Sequence, residues 1–296
     1  MNPLCADFLG GLDRAEFARQ CAIEPDEKQC AILRSTARNV AVCTSRQWGK
    51  STTAALLGAS DAWYNHVSPE ARRVLGARAR ALVLITSPTQ RQSDLTFAKL
   101  QYYLGERIAQ AHTAEVSRET DAKVWTRAPG AGRRVVLSSE LVDEWKVRSL
   151  LLRSGAMVVS LPGVPETLRG FDAVTRVIVD EAAFTGDGLI GALRPMLLVS
   201  RGSMTLLSTP NGKRGEFFRV FVEAKGKDGD TWERHEVPVE CNGRIDPADV
   251  EVDRRELPAW LFEQEYKCRF TSLLGAVFHE TDIEGALVDD EGVMNV

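Results

Sequence analysis

Nowhere in the 296 residues is there an uncharged apolar run of about 18, the length a membrane-spanning helix needs. The N-terminal stretch MNPLCADFLGGLDRAEF has no basic region followed by an apolar one, so no secretory signal is expected and the chain reads as cytoplasmic. Cysteine is sparse and scattered. The six residues Cys5, Cys21, Cys30, Cys43, Cys241 and Cys268 form no C-x-x-C pair, which argues against a zinc module or a disulfide framework and for reduced, packed thiols. Basic residues are not in excess: 37 Lys and Arg against 41 Asp and Glu leave a net charge of −4, unlike a tight nucleic-acid binder. A protein that must release a nucleic acid at every step needs no strong field, so this charge leaves that substrate class open. Internal repeats and low-complexity tracts are absent.

What is present is an ordinary globular composition, 44% apolar and 26% charged, in a chain long enough for one large domain or two modest ones. Residues 14–22 and 26–36 have helical spacing, with Pro25 near the start of the second. Short apolar runs read as buried strands at NVAVCTS (39–45), ALVLITSP (81–88), MVVSLPG (157–163), TRVIVDEAAF (175–184) and SMTLLSTPNG (203–212). Helical patterns follow at 51–67, in TQRQSDLTFAKLQYYL, and in RGEFFRVFVEAKG. Strands alternating with helices predict a mostly parallel sheet covered on both faces. The segment 112–150 resists parsing, though RAPGAGRR (127–134) reads as a turn with RVVLSS pairing nearby. WERHEVPVE reads as a last strand, followed by a helical region broken at Pro258 and an acidic tail after Gly275. The arginines Arg72, Arg73, Arg78 and Arg80 form either a solvated face or a contact to phosphates.

The residues Thr44-Ser45-Arg46-Gln47-Trp48-Gly49-Lys50-Ser51 fit G-x-x-x-x-G-K-[ST] except at the first glycine. Backbone N–H groups of such a loop point at a phosphate, and the following helix adds its positive end. Lys50 then reaches the β/γ-phosphates and the Ser51 hydroxyl can coordinate Mg2+. Gly49 permits close approach of the backbone. A G-K-S tripeptide alone is a weak signal, but a strand before it and a helix after it supply the right context. Asp180-Glu181 ends a buried strand. Asp180 is placed to hold Mg2+, and Glu181 to act as general base on the attacking water. The bland alternative is a pair of acids capping the next helix.

With these motifs the sequence resembles the ATPase domain of large terminase subunits of tailed double-stranded DNA phages, over about residues 23–278. The most specific piece is Ser45-Arg46-Gln47-Trp48-Gly49-Lys50-Ser51, followed in order by LPGVPETLRGFDAVTRVIVDEAAF (161–184), LLSTPNGKRGEFF (206–218) and FEQEYKCRF…GAVF (262–278). The resemblance implies a RecA-like P-loop fold with a small helical subdomain, residues 1–274 forming the ATPase domain and 275–296 a linker or tail. It implies that Gln29 reads adenine, whose edge an amide can match as both donor and acceptor. Ser45, Gln47, Trp48 and Thr52 complete the nucleotide loop, and Arg46 stabilises charge at the γ-phosphate. Ser208, Thr209 and Asn211 correspond to the coupling motif. Arg169 is the arginine presented to a neighbouring subunit, with Arg148 and Arg153 as alternatives.

The implied ligands are ATP and Mg2+. The implied partners are double-stranded DNA, a portal protein, a small terminase subunit and further copies in a ring, in the host cytoplasm with no membrane. The nuclease domain of full-length relatives is not expected here: Asp282, Glu284, Asp289 and Asp290 read as a solvated tail. Two other readings stay open: a superfamily 2-type helicase or remodeller, and a nucleotide-binding packaging scaffold without turnover.

Overall fold

A computed structural model describes residues 3–113, 142–168 and 170–271. The strands are β1 (Asn39–Thr44), β2 (Leu82–Ser87), β3 (Val142–Trp145), β4 (Ser149–Leu152), β5 (Met157–Pro162), β6 (Arg176–Asp180), β7 (Ser203–Ser208) and β8 (Trp232–Val237). The N-terminal helices are α1 (Pro3–Leu12), α2 (Arg14–Gln20) and α3 (Glu27–Arg34), followed by α4 (Lys50–Trp63), α5 (Pro69–Leu75) and α6 (Gln90–Thr113). Beyond these come the short α7 (Pro165–Leu168), α8 (Leu189–Leu193) and α9 (Gly215–Phe218), then α10 (Pro247–Glu256) and α11 (Ala259–Lys267).

The described strands form one sheet in the order β3-β4-β5-β2-β6-β7-β1-β8, parallel from β5 to β8 and antiparallel where β3 and β4 add an edge. This is a RecA-like α/β architecture. The central strands are buried on both faces, which explains their continuous apolar runs. Successive residues still alternate. Val83, Ile85 and Ile178 face the layer holding α4 and α6, where Leu57, Phe97 and Leu100 pack. Leu84, Val177, Val179 and Leu206 face the opposite layer with Leu189, Leu193 and Phe217.

Helix ends are set by side chains. Asp26 and Gln29 form a reciprocal capping box at the start of α3, with Gln29 N donating to Asp26 Oδ1 at 2.8 Å and Asp26 N donating to Gln29 Oε1 at 3.0 Å. Asp13, Ser68 and Asp246 cap α2, α5 and α10 by accepting from backbone N–H groups. Pro258 separates α10 from α11, as expected. The expected turn at 127–134 and the stretch RVVLSS lie outside the described residues, as does the acidic tail with Asp282, Glu284, Asp289 and Asp290. Among the described residues no helix is long and apolar enough to cross a membrane.

Candidate active site

Three neighbouring strands, β6, β7 and β1, end on one edge of the sheet and carry the predicted motifs there. Ligands of open parallel sheets bind at this carboxyl edge. The loop after β1 is fixed by backbone bonds: Ser45 N donates to Val237 O at 2.8 Å and Arg46 N to Glu265 O at 3.0 Å. It then turns through two left-handed residues, Gln47 at φ 58° and Gly49 at φ 111°. A Cβ on Gly49 would stand 3.0 Å from Gln29 Nε2, so both the conformation and the close neighbour require glycine. Lys50 opens α4 and is buried apart from 9% of its surface.

The central contact joins distant parts of the chain. Lys50 Nζ lies 3.2 Å from Glu181 Oε1. Glu181 adopts φ 56° and ψ 45°, left-handed for a residue with a side chain. Its second carboxylate oxygen is buried without a partner. Burial pushes the Glu181 carboxyl above its ordinary pKa; the Lys50 charge opposes this and Asp180 adds to it. Asp180 lies behind, 4% exposed, its Oδ2 accepting from Thr96 Oγ1 at 2.7 Å. Ser208 Oγ accepts from Ala183 N at 3.0 Å, and Asn211 Nδ2 donates to Ala183 O at 3.2 Å. The two residues thus hold the turn that aims Glu181.

A cavity of about 610 Å³ opens over these groups, lined by Arg46, Gln47, Gly49, Lys50, Ser51, Glu181 and Thr209. Thr44 Oγ1, Ser45 Oγ, Thr86 Oγ1 and Ser87 Oγ, at the ends of β1 and β2 on the same edge, are buried without partners. Unsatisfied buried hydroxyls are uncommon in a folded protein and mark a place where a ligand or water completes the bonding.

Other predicted residues stand differently. The Gln29 amide abuts Gly49, but its carbonyl is committed to the capping box, leaving only Nε2 to offer. Trp48 turns its side chain wholly into the core, so only its backbone belongs to the loop. Thr52 sits one turn inward against the Tyr103 hydroxyl. Arg46 is mostly exposed and is paired with Glu265 rather than Glu181, its Nε 2.5 Å from Glu265 Oε2. Arg169 lies outside the described residues. Of its alternatives, Arg148 pairs with Asp94 at 3.2 Å and Arg153 with Asp143 at 3.5 Å.

Sequence reasoning missed several neighbours. Gln92 and Lys99 on α6, with Phe184, complete the cavity lining. Gln92, Thr96 and Lys99 fall at helical spacing on one face of α6, a polar stripe that could have marked them. Arg244 donates to Trp48 O, and Asn242 Nδ2 donates to Gln47 O at 3.4 Å. Nothing local distinguishes Arg244 or Asn242 in the sequence, and Glu265 lies in the FEQEYKCRF motif without any sign there that it pairs with Arg46.

No protein-family model matches the chain. It is 28% identical over 302 aligned positions to the terminase large subunit of Thermus virus P23-45, covering 90% of this chain and 53% of that protein. The terminase large subunit of Thermus phage G20c is likewise 28% identical, over 299 positions with the same coverage. The chain thus spans about half the length of the curated relatives it matches. Among solved structures, the large terminase ATPase domain of Thermus phage P74-26 superposes with a TM-score of 0.60 at 22% identity, over 86% of this chain and 98% of that domain. The large terminase of another thermophilic bacteriophage, in complex with ATP-gamma-S, gives 0.51 at 10% identity, over 83% of this chain and 53% of that one. In sequence along 90% of its length, and in fold, this chain resembles the large terminase subunits of phages, and the solved domain it matches end to end is their ATPase domain.

Proposed function

We propose that this chain is an ATP-hydrolysing motor domain that moves double-stranded viral DNA into a procapsid. The observation that carries the reading is the 3.2 Å approach of Lys50 to Glu181 at the edge where the loop after β1 opens a cavity. An amine and a general-base carboxylate converging on one cavity is the arrangement that phosphoryl transfer to water requires. In this assignment the loop N–H groups from 47 to 51 and the N-terminus of α4 bind the phosphates, while those of Ser45 and Arg46 anchor the loop; Lys50 sits against the β/γ-oxygens, and Gln29 meets the base. Glu181 takes the proton from the attacking water. Its raised pKa makes it a stronger base than an exposed glutamate, and its unpartnered Oε2 is free to accept. Lys50 must leave Glu181 for the triphosphate, which releases that carboxylate for the water. Arg46 must likewise leave Glu265 to stabilise charge on the γ-phosphate.

The donors present fit Mg2+. The Ser51 hydroxyl and the Asp180 carboxylate are hard oxygen ligands, and Thr96 fixes the carboxylate's orientation. When bound, the ion neutralises charge on the β- and γ-oxygens. Ser208 and Asn211, through their bonds to Ala183, and Thr209, which lines the cavity, sense loss of the γ-phosphate. The whole assembly on this reading comprises a ring of copies on a portal, the small terminase subunit and DNA, in the host cytoplasm. Arg169 reaches the neighbouring subunit's nucleotide, and residues 275–296 lead out of the motor domain (1–274).

The test is Glu181→Gln, which keeps size and polarity while removing the base. ATP binding persists and turnover falls by about a hundredfold or more. Normal phosphate release from this variant would remove Glu181 from its role. Absence of phosphate release from the unaltered chain, with DNA and portal present, would favour a scaffold. Robust unwinding of tailed duplexes would favour a helicase.

A further inference from the structure

The opposite edge of the same three strands holds a second cavity, about 740 Å³, lined where β1, β6 and β7 begin by Arg38, Arg176 and Ser203. It is separated from the nucleotide edge by the length of the strands, about 17 Å for five or six residues. Its floor is a buried ionic cluster. Asp61, in the last turn of α4, is 3% exposed, and its Oδ1 receives Arg14 at 2.8 Å and His66 Nδ1 at 3.1 Å. Its Oδ2 receives Arg176, which is itself only 7% exposed and reaches a further neutral partner, Thr205 Oγ1, at 3.2 Å. Two guanidiniums therefore share one carboxylate, and among the described residues no second anion matches the positive charge left at the floor. Burial alone would raise the Asp61 pKa, but the Arg14 and Arg176 charges hold it far below the usual range, so the carboxylate stays ionised.

The rim adds to the imbalance. Arg38, Arg72 and Arg201 line the opening, and Glu70 is the one further carboxylate in the lining. Among the described residues Arg38 donates only a long bond, 3.4 Å to Gly202 O, and Arg72 only to backbone carbonyls at 3.4 Å. Their guanidiniums keep free N–H groups, since each carries five donors. An uncompensated buried charge costs several kcal/mol unless something of opposite sign is near, and planar guanidiniums match phosphate oxygens in pairs. We propose that this cavity is a second phosphate-binding site, distinct from the nucleotide pocket, that takes a phosphate of a nucleic-acid backbone or of a small phosphate compound between Arg38, Arg201 and the Arg14–Asp61–Arg176 cluster. It stands independently of the ATPase reading, because no group in it belongs to that site.

The probe is inorganic pyrophosphate, titrated calorimetrically into the full chain carrying Lys50→Ala, which disables the first site. Binding persists in that chain. Adding Arg38→Ala and Arg201→Ala weakens it about tenfold or more, and Arg38→Lys with Arg201→Lys restores part of it because the charge returns. Both arginines are exposed, so thermal melting stays within a few degrees and confirms the fold is kept. A short DNA duplex distinguishes the source. If the alanine pair weakens duplex binding and pyrophosphate competes with it, the backbone is the ligand; if only pyrophosphate binding falls, it is a small phosphate compound. Loss of pyrophosphate binding with Lys50→Ala alone, or unchanged binding after both arginines are replaced, would overturn the second site.

Discussion

Glu181 carries most of the site's tension at the level of single residues. A glutamate with φ 56° costs about 1–2 kcal/mol relative to the right-handed regions, and it persists because Ser208 and Asn211 fix the next turn from both sides. Burial that raises its pKa also has a kinetic consequence. A general base works only when ionised, so turnover declines as pH drops through that raised value. The acid limb of kcat/KM, which reports groups of the free enzyme, is therefore expected above 4.5, the ordinary glutamate value. A limb at or below 4.5 would mean that another group controls the profile. The acid pair at a strand end was legible in the sequence as the pattern a triphosphate site uses. The left-handed backbone of Glu181 was not, since the residues that impose it lie 27 and 30 positions further on at Ser208 and Asn211.

Between elements, the contact that sets the site is the one where α4 meets α6. At Gly58 a Cβ would stand 2.7 Å from Leu100 Cδ1 and 3.4 Å from both Ile178 Cδ1 and Val83 Cγ1. Glycine inside a helix costs about 1 kcal/mol against alanine, so its presence here points to close packing. Gly58→Val is expected to wedge the helices apart and destabilise by about 1–3 kcal/mol in denaturant unfolding. Because α6 also carries Thr96, the bond to Asp180 shifts with it and turnover drops too. Unchanged stability would show that Leu100 yields freely. Five of the six parallel strands were readable as apolar runs bounded by small polar residues, and β8, WERHEV, was read as a last strand without such a run. β3 and β4 were not: VDEW and SLLL are four residues each, half-buried at the sheet edge, and carry too little pattern. α5 was hidden inside an arginine-rich run that read as a charged face, though Arg72 reaches the rim of the second cavity.

Across the molecule, hydrogen bonds close a circuit around the cavity beside Lys50 from four separate parts of the chain. Lys50 meets Glu181; the turn after Glu181 is held by Ser208 and Asn211; Gly212 N donates to Gln264 Oε1 at 3.2 Å. Gln264 Nε2 donates to Glu265 Oε1 at 3.3 Å, and Glu265 returns to Arg46 in the loop before Lys50. The FEQEYKCRF motif covers Gln264 and Glu265 of α11, but nothing in it announced the links to Gly212 and Arg46, because these partners lie far away in the chain. Packing holds it there. Cys268 follows α11 and exchanges sulfur–carbonyl contacts with Cys43 of β1, while Phe262 is 4% exposed and stacks on Tyr266 at 4.8 Å. If the circuit acts as a unit, breaking it at one point loosens the rest, and a second break costs less than it would alone. Gln264→Ala and Glu181→Gln touch no common partner, yet their combined effect on unfolding free energy is expected to fall short of the sum by about 0.5 kcal/mol or more. Additivity within about 0.3 kcal/mol would reduce the circuit to six independent contacts, and α11 would then be a passive cover rather than part of the site around Lys50 and Glu181.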